Sequence, residues 1–204
     1  MDPIFVAIEG IEGVGKSSML RIIERLFQDL QYPYLSTREP GGSILAEEIR
    51  VLLKSNEYTV DKKTELLMMF AARAHHIDAT IQPALSRGIS VISDRFVAAS
   101  YAYQGGGRDV GVEIIKALDE FVCSIHPDIT LLLTCPVDVA MERLKKRGEA
   151  IDRIESEPFE FFEKAQERYL ELARNNDSYI IIDASQSIDK VESQVRASLR
   201  ERIL

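Results

Sequence analysis

The sequence has few of the residues that cross-link a chain or carry it through a membrane. It contains no tryptophan and only two cysteines, Cys123 and Cys135. Two cysteines are too few for a disulfide framework and fit a reducing compartment. No apolar run approaches the roughly 20 residues that cross a bilayer, and no basic segment precedes the first apolar run. We therefore expect a cytoplasmic protein that contacts no membrane.

Basic residues are also scarce relative to acidic ones. The chain has 25 lysines and arginines against 33 aspartates and glutamates, a formal net charge of −8. A protein that binds nucleic acid through its phosphates needs a broad basic face, so a nucleic-acid partner is not expected. Its 204 residues, 46% of them hydrophobic, are enough for one domain with its own core. We expect a single domain, residues 1–204, and a small anionic ligand.

A glycine-rich segment follows the first apolar run, residues 4–8. Residues 10–17 read Gly-Ile-Glu-Gly-Val-Gly-Lys-Ser, and apolar residues at helical spacing continue from 18 to 30. In such a loop the backbone N–H groups surround a polyphosphate, Lys16 neutralises the β and γ groups, and the Ser17 hydroxyl ligates Mg²⁺. The strand, loop and helix in this order predict an ATP site made of Gly10, Ile11, Glu12, Gly13, Val14, Gly15, Lys16, Ser17 and Ser18.

Five short apolar runs alternate with helical patterns along the chain. They cover residues 4–8, 34–37, 89–93, 129–134 and 179–182. This alternation predicts an α/β fold in three layers, with a five-stranded parallel sheet covered by helices on both faces. Functional loops of such folds lie at the carboxyl ends of the strands. Basic residues concentrated after residue 143 in an otherwise acidic chain indicate a lid at about 143–155.

Arginines near the predicted strand ends suit the transfer of a phosphoryl group between two phosphates. That reaction concentrates negative charge, and planar guanidinium groups can hold phosphate oxygens in pairs. Asp94 ends the third predicted strand, where an acid beside a phosphate loop commonly organises Mg²⁺, although a surface ion pair is the alternative. Arg50 lies on a helical pattern, where it could equally be a solvated surface residue.

Four motifs together give the chain a resemblance to a known family. They are residues 9–17, the Thr-Arg-Glu-Pro-Gly-Gly of 37–42, Asp94-Arg95 with 102–108, and the Asp-Arg-Ile-Glu of 152–155. In order and spacing the chain resembles the bacterial-type thymidylate kinases, P-loop kinases of nucleoside monophosphates. The resemblance implies phosphorylation of dTMP to dTDP with ATP and Mg²⁺, in dTTP biosynthesis. It also implies a homodimer packed through helices beside the dTMP pocket.

The resemblance assigns roles around the acceptor's sugar and phosphate. Glu12 resembles an acid near the 3′-hydroxyl, and Glu39, in the segment that includes Pro40, resembles a second acid near the sugar and the metal. Arg95 resembles the arginine that clamps the dTMP phosphate, with Arg38 and Arg50 assisting. Asp94 and Ser17 resemble the metal-organising residues.

The resemblance also outlines a thymine pocket, with one departure from the family pattern. Arg73 resembles the residue that bonds the base, Ser100 and Gln104 resemble polar pocket residues, and Tyr103 resembles the ring set against the sugar. The family usually has an aromatic residue four positions before the arginine, where this chain has Met69. Either the thioether of Met69 covers the base, or Phe70 reaches across to it, and the sequence leaves both open.

Members of the family differ in which segment supplies the catalytic arginine. This chain has Val14 where other members have an arginine in the phosphate loop, and it has Arg147 and Arg153 in the predicted lid. We therefore expect the lid to supply the catalytic arginines, and its closure to exclude water. Arg143 resembles the arginine that packs on the adenine ring.

Other functions and sites are less well supported by the sequence. A P-loop kinase for another nucleoside or nucleotide is the alternative, whereas a GTP-dependent switch needs an Asn-Lys-x-Asp motif that is missing. His75 and His76 point about 100° apart on a helix and are expected to be partly exposed packing residues. Cys123 and His126 have a loose metal-like spacing without a second pair of ligands, so a zinc site is not expected there. Both cysteines are expected in the core.

Overall fold

A five-stranded parallel sheet forms the centre of the protein. The computed structural model describes residues 2–148, 150–174 and 176–203. The strands lie in the order β2-β3-β1-β4-β5, and each agrees with its predicted run to within one residue at either end. The predicted parallel sheet is therefore confirmed. Its strands are β1 (Phe5–Glu9), β2 (Tyr34–Arg38), β3 (Ser90–Asp94), β4 (Ile129–Thr134) and β5 (Tyr179–Asp183).

Helices follow each strand, and two are extended by π-helical turns. The turns at Ile77–Ile81 and Tyr101–Gly107 directly continue the helices before them. None of the helices within the described ranges combines the length and apolar character needed to cross a membrane. The helices are α1 (Lys16–Asp29), α2 (Ile44–Lys54), α3 (Lys62–His76), α4 (Gln82–Ser86), α5 (Val97–Ser100), α6 (Val112–Val122), α7 (Val137–Lys146), α8 (Phe159–Arg174) and α9 (Ile188–Ile203).

The core lies on both faces of the sheet, as the alternation of side chains along β1 shows. Val6 and Ile8 join a cluster with residues of α1, α8 and α9, whereas Phe5 and Ala7 join a second cluster with residues of α3 and α6. Successive residues of a strand point to opposite faces, so a strand buried on both sides is apolar throughout. The three predicted layers follow from this arrangement.

The carboxyl ends of three neighbouring strands meet at one edge of the sheet. Ile8, one residue before the end of β1, is opposite Asp94, and Asp94 is in turn opposite Arg38 at the end of β2. The loops that leave these ends carry the predicted phosphate loop and the predicted acceptor residues. The sheet thus brings together segments that are far apart in the sequence. The assignment of residues 1–204 to one domain stays a prediction.

Candidate active site

A cavity of about 530 Å³ opens at this edge of the sheet, between the phosphate loop, α2, α3 and the predicted lid. It also includes residues that the sequence did not single out, among them Leu53 and Lys54 at the end of α2. Most predicted site residues line it together: Glu12, Gly13, Gly15, Lys16, Ser17, Ser18, Arg38, Glu39, Pro40, Arg50, Met69, Arg73, Asp94, Arg95, Ser100, Tyr103, Gln104, Arg143 and Arg147.

Five predicted site residues do not line the cavity. Ile11 and Val14 are buried in the core beneath the phosphate loop, so their side chains face away from a bound nucleotide. Gly10 contributes its carbonyl oxygen, which accepts hydrogen bonds from Lys16 and Arg95. Phe70 and Arg153 are directed elsewhere, as described below.

Close packing beneath the phosphate loop explains two of its glycines. Gly13 has φ of +76°, and a Cβ there would lie 1.9 Å from the carbonyl oxygen of Ala140. Gly10 has φ of +134°, and its Cβ would lie 2.4 Å from the carbonyl oxygen of Leu133. Only glycine tolerates both the conformation and the approach. The loop leads directly into α1, whose N-terminus has no side-chain cap and faces the cavity with its positive dipole end.

Lys16 folds back onto its own loop. Its Nζ atom donates hydrogen bonds to the carbonyl oxygens of Gly10 at 3.0 Å and Ile11 at 2.8 Å. Burial, with the nearby charge of Arg95, lowers the pKa of Lys16 to about 8. A polyphosphate in the cavity would supply the negative charge that this ammonium group needs.

Asp94 and Ser17 suit a hard divalent cation. Both line the cavity, and Oδ1 of Asp94 is buried without a hydrogen-bond partner among the described residues. A buried carboxylate oxygen with no partner is costly, and a cation bound beside it would remove that cost. Carboxylate and hydroxyl oxygens are ligands that Mg²⁺ prefers, so these two residues fit the metal that accompanies a nucleoside triphosphate.

Arg95 connects the phosphate loop to the helices beyond β3. Its guanidinium donates to Glu12 at 2.6 Å, to the Gly10 carbonyl at 2.9 Å, and to the hydroxyls of Tyr103 at 2.9 Å and Tyr169 at 3.0 Å. Its φ of +75° is a strained conformation for a side chain of this size. The hydroxyl of Tyr103 also donates to Glu12 at 2.6 Å. Arg95 is thus held beside the loop with its charge facing the cavity.

A buried polar cluster orients Arg73. Its Nε donates to Glu39 at 2.7 Å, and its two terminal nitrogens donate to Oγ of Ser100 at 3.0 Å and to the Phe96 carbonyl at 3.2 Å. The other oxygen of Glu39 lies 3.0 Å from Nδ1 of His76. Both oxygens of Glu39 therefore already have a partner, and the carboxylate orients Arg73. Neither oxygen is available in this arrangement for the metal ligation expected from the sequence.

His76 corrects one expectation from the sequence. It is fully buried rather than partly exposed, and its Nε2 lies 2.7 Å from Oγ1 of Thr37 while its Nδ1 faces Glu39. The histidine thus links the end of β2 to α3. Its neighbour His75 is partly exposed and lies 2.8 Å from Oγ of Ser43. The two side chains point about 100° apart on the helix, and only tertiary packing decides which of them is buried.

The structure distinguishes Met69 from Phe70. Met69 lines the cavity, whereas Phe70 is buried in the second core cluster with its ring 4.8 Å from the Arg73 guanidinium. Consecutive residues of a helix point about 100° apart, so only one of them can face the cavity. Phe70 supports Arg73 from behind, and the substrate contact predicted for it is not available in this arrangement.

Arg38 and Arg50 approach the cavity from β2 and α2. Arg50 donates to the Pro40 carbonyl at 2.7 Å, and burial and the charge of Arg38 lower the pKa of Arg50. Arg38 is more exposed and pairs with Glu47 at 2.8 Å. The hydrogen bond to the Pro40 carbonyl therefore holds Arg50 at the cavity. Arg50 is not the solvated surface residue that the sequence left as an alternative.

Two arginines of the lid segment, Arg143 and Arg147, line the cavity. Arg147 lines the cavity and donates to both oxygens of Glu155, at 2.9 and 3.0 Å. Arg143 also lines the cavity, and it donates to the Ala184 carbonyl at 2.8 Å. Glu149, within the predicted lid, lies outside the described residues.

Arg153 is turned away from the cavity. Its guanidinium contacts Glu65 at 2.7 Å and the Leu53 carbonyl at 2.9 Å. A neighbouring ion pair of 2.8 Å joins Lys54 to Asp152. These contacts attach the lid segment to the end of α2 and to α3. The catalytic position predicted for Arg153 is therefore not the one it occupies here.

Two functional neighbours were missed in the sequence. Glu65 is buried and accepts from Gln104 at 2.9 Å as well as from Arg108 and Arg153. Tyr169 donates to Glu9 at 2.7 Å and accepts from Arg95. An acid directly before the apolar residues 66–70 of α3 was the one available signal for Glu65. The partners of both residues come from distant segments, which spacing alone does not reveal.

Comparisons with known proteins agree with this geometry. A family model described as thymidylate kinase matches residues 8–195. The chain is 40% identical over 201 residues to the thymidylate kinase of Thermosipho africanus, covering 98% of this chain and 99% of that protein. It is 41% identical over 203 residues to that of Hahella chejuensis, covering 98% and 97%.

The fold agrees as well. The crystal structure of thymidylate kinase from Ehrlichia chaffeensis superimposes with a TM-score of 0.79 at 28% identity, covering 98% of this chain and 99% of that one. The resemblance predicted from four motifs is confirmed over the full length of the chain. With the phosphate loop, the Asp94-Arg95 pair and the Arg73 pocket lining one cavity, this chain belongs to the thymidylate kinase family.

Proposed function

We propose that the chain transfers the γ-phosphoryl group of ATP to dTMP, giving dTDP and ADP, with Mg²⁺ bound to the triphosphate. One observation carries the proposal. Arg95 joins the two ends of the cavity, because its guanidinium bonds the phosphate loop at Gly10 and Glu12 while the carbonyl of the next residue, Phe96, accepts from Arg73. A phosphate held by Arg95 therefore lies between a triphosphate site and a base site.

The chain's own residues perform the transfer mainly by positioning and by charge. The phosphate loop and Lys16 bind the triphosphate, and Arg95 holds the acceptor phosphate, whose oxygen attacks the γ-phosphorus as the bond to ADP breaks. Arg147, from the lid, would leave Glu155 for the transferring group and stabilise its developing charge. Mg²⁺ held by Ser17 and Asp94 supplies further neutralisation of the β and γ phosphates when bound.

Selection of the acceptor follows from the Arg73 pocket. Arg73 and Gln104 offer donors to a base carbonyl, and Met69 provides an apolar surface beside them. The hydrogen bond of Tyr103 to Glu12 holds the tyrosine ring where it would crowd a 2′-hydroxyl. Arg143, which is fixed by the Ala184 carbonyl, is the candidate for contact with the adenine. This pocket favours a deoxynucleotide with a pyrimidine base.

The homodimer implied by the resemblance forms part of the proposal. Several large apolar side chains are exposed on three helices that pack side by side, α2 on α3 and α3 on α6. Ile44 is 88% exposed and Phe121 is 86% exposed. A single exposed apolar residue is common, but a group of them on adjacent helices marks an interaction surface. A second copy would cover this apolar face, made of Ile44, Leu45, Val51, Leu52, Leu67, Ile114 and Phe121.

Light scattering tests the dimer. The full chain should have the mass of two copies, and Leu67→Glu, on a residue that is 58% exposed, should give single copies without loss of fold. A monomeric wild-type chain at micromolar concentration would contradict this part of the proposal.

The cytoplasmic location is proposed because both cysteines are buried and free, as is usual in a reducing compartment. Cell fractionation tests this location.

The activity is tested with purified protein, ATP, Mg²⁺ and one monophosphate at a time. ADP formation should depend on dTMP, be weaker with dUMP, and be absent with CMP or GMP. Omission of Mg²⁺ should abolish it. Turnover of CMP or GMP while dTMP stays inert would favour the alternative, a P-loop kinase for another nucleotide. ADP formation should stop when the monophosphate is left out. Continued ADP formation without a monophosphate would indicate an ATPase rather than a kinase.

A further inference from the structure

A cluster of three potential metal ligands lies outside the active site, at the C-terminal end of α6. Asp119, Cys123 and His126 each offer one ligand atom, and the three atoms all lie within 4.8 Å of one another. The sequence showed only the loose pair Cys123 and His126. The helix brings Asp119 beside Cys123, because residues four apart share one face of a helix. We propose that this cluster is a binding site for a zinc-type divalent cation.

The spacing of the ligand atoms is close to what such an ion requires. Zinc lies about 2.0–2.3 Å from nitrogen, oxygen and sulfur ligands in a tetrahedral site, so its ligand atoms are roughly 3.3–3.8 Å apart. The carboxylate of Asp119 already lies 2.9 Å from Nε2 of His126. These two atoms would separate by roughly 0.5 Å to hold an ion between them. Because all three ligand atoms lie within 4.8 Å of one another, side-chain rotations bring them around one ion, and water takes the fourth position.

The surroundings of the cluster favour a cation. The cluster lies at a helix C-terminus, where the backbone dipole is negative, and the backbone of Cys123 is held by a 2.8 Å hydrogen bond to the Asp119 carbonyl. Tyr101 donates to the second oxygen of Asp119 at 3.0 Å, which fixes the carboxylate as outer partners of metal ligands commonly do. The positive charge of the buried Arg73 also acts on Cys123, and the ion pair of Arg73 with Glu39 offsets part of that charge.

The ligand types select the kind of metal. A thiolate with an imidazole and one carboxylate is the donor set of zinc and similar ions, whereas Mg²⁺ prefers oxygen ligands alone. His126 has a half-exposed side chain, at 54%, which provides an entry path from solvent. Cys123 is buried beside it, so the ion would bind with one side open to water. The site is chemically distinct from the Ser17 and Asp94 position.

Absorption of Co²⁺ provides the direct test. The full chain, without nucleotide and under a non-thiol reductant, is titrated with Co²⁺ and should develop a thiolate charge-transfer band at one equivalent per chain, which Zn²⁺ then removes. Cys123→Ser should lose the band, and Cys135→Ser is the matched control because Cys135 is the other buried, free cysteine. Absence of the band in the wild type, or its loss in Cys135→Ser but not in Cys123→Ser, would overturn the proposal.

Thermal unfolding gives a second readout that does not depend on the buried cysteine. At about a hundredfold excess over the dissociation constant, Zn²⁺ should raise the Tm by about 5–10 °C, and a chelator should reverse the rise. His126→Ala, on an exposed side chain, should fold normally and show no rise. A rise of equal size in His126→Ala would place the metal elsewhere and overturn the proposal.

Discussion

The two ends of the cavity are built differently. At the acceptor end, Arg73, Glu39, His76 and Ser100 are buried and bonded to one another by side chains. At the donor end, the loop's backbone surrounds the space where phosphates bind, and Lys16 turns to carbonyls of its own loop.

This difference shows how the site divides its tasks. Recognition of a base requires donors in fixed directions, and a buried network provides them before the ligand arrives. Binding of a triphosphate instead requires charge, so Lys16 and Arg147 can exchange temporary partners for phosphate oxygens. The acceptor end should therefore lose stability when it is mutated, and the donor end should lose rate.

Arg73→Met should have the largest effect. It leaves the buried Glu39 without its main cation, and removal of one partner of a buried pair costs about 3–5 kcal/mol. We expect a markedly lower Tm and a raised KM for dTMP. Arg38→Met is the control, since its pair with Glu47 is exposed and worth about 0–1 kcal/mol. Equal Tm values for the two variants would remove the distinction between the two ends.

Lys16→Met should have the opposite character. The folded chain holds this ammonium group at a cost, as its lowered pKa shows, so the Tm should not fall. Loss of a charge that stabilises the transferring group should lower kcat by about 100- to 1,000-fold. Lys145→Met, on an exposed residue of α7, is the control and should keep both kcat and Tm. A kcat close to that of the wild type would contradict the role given to Lys16.

The lid arginines repeat the comparison within one segment. Arg147→Met should lower kcat by about 10- to 100-fold, because Arg147 lines the cavity. It should lower the Tm less than Arg153→Met does, because the pair of Arg147 with Glu155 is more exposed than the pair of Arg153 with Glu65. Arg153→Met should mainly lower the stability, by about 1.5–3 kcal/mol, because it removes a charged partner of the buried Glu65. Steady-state kinetics and thermal unfolding of both variants test these two predictions. A larger loss of kcat in Arg153→Met than in Arg147→Met would show that Arg153 acts in catalysis.

The pKa of Lys16 predicts a pH dependence of ATP binding. The protonated ammonium binds phosphate, and its pKa in the empty site is lowered to about 8. Affinity for ATP should therefore be constant below about pH 8 and fall above it, by up to about tenfold per pH unit, with proton uptake on binding. Calorimetry at pH 7 and pH 9 measures this, with Lys16→Met as the variant that should show no such fall.

Exchange at Met69 should have the smallest effect. Met69→Leu conserves volume and lines the cavity, so the KM for dTMP should change by less than about tenfold. Phe70→Leu, the matched neighbour, should instead lower the free energy of unfolding by about 0.5–2 kcal/mol through its lost contact with Arg73. A larger KM change in Phe70→Leu than in Met69→Leu would show that Phe70 reaches the base.

Some features could be predicted because a short stretch of sequence indicates them. Others could not, because they depend on partners far away in the sequence. The five strands, the phosphate loop and the acid at the end of β3 were each visible in a short stretch of sequence. His76, Glu65 and the orientation of Arg153 were not, because their partners lie on segments 30 to 90 residues away. The direction of a side chain on a helix depends on what packs against that helix.

By itself, the sequence determined the fold class and the phosphate loop, because periodicity and loop chemistry are local properties. It also carried the family resemblance in four motifs. Only the tertiary structure decided that Met69 rather than Phe70 faces the cavity, that His76 is buried against Glu39, and that Asp119 joins Cys123 and His126. Each of those outcomes depends on how helices are rotated and packed on the sheet, and that rotation is set by contacts between distant segments.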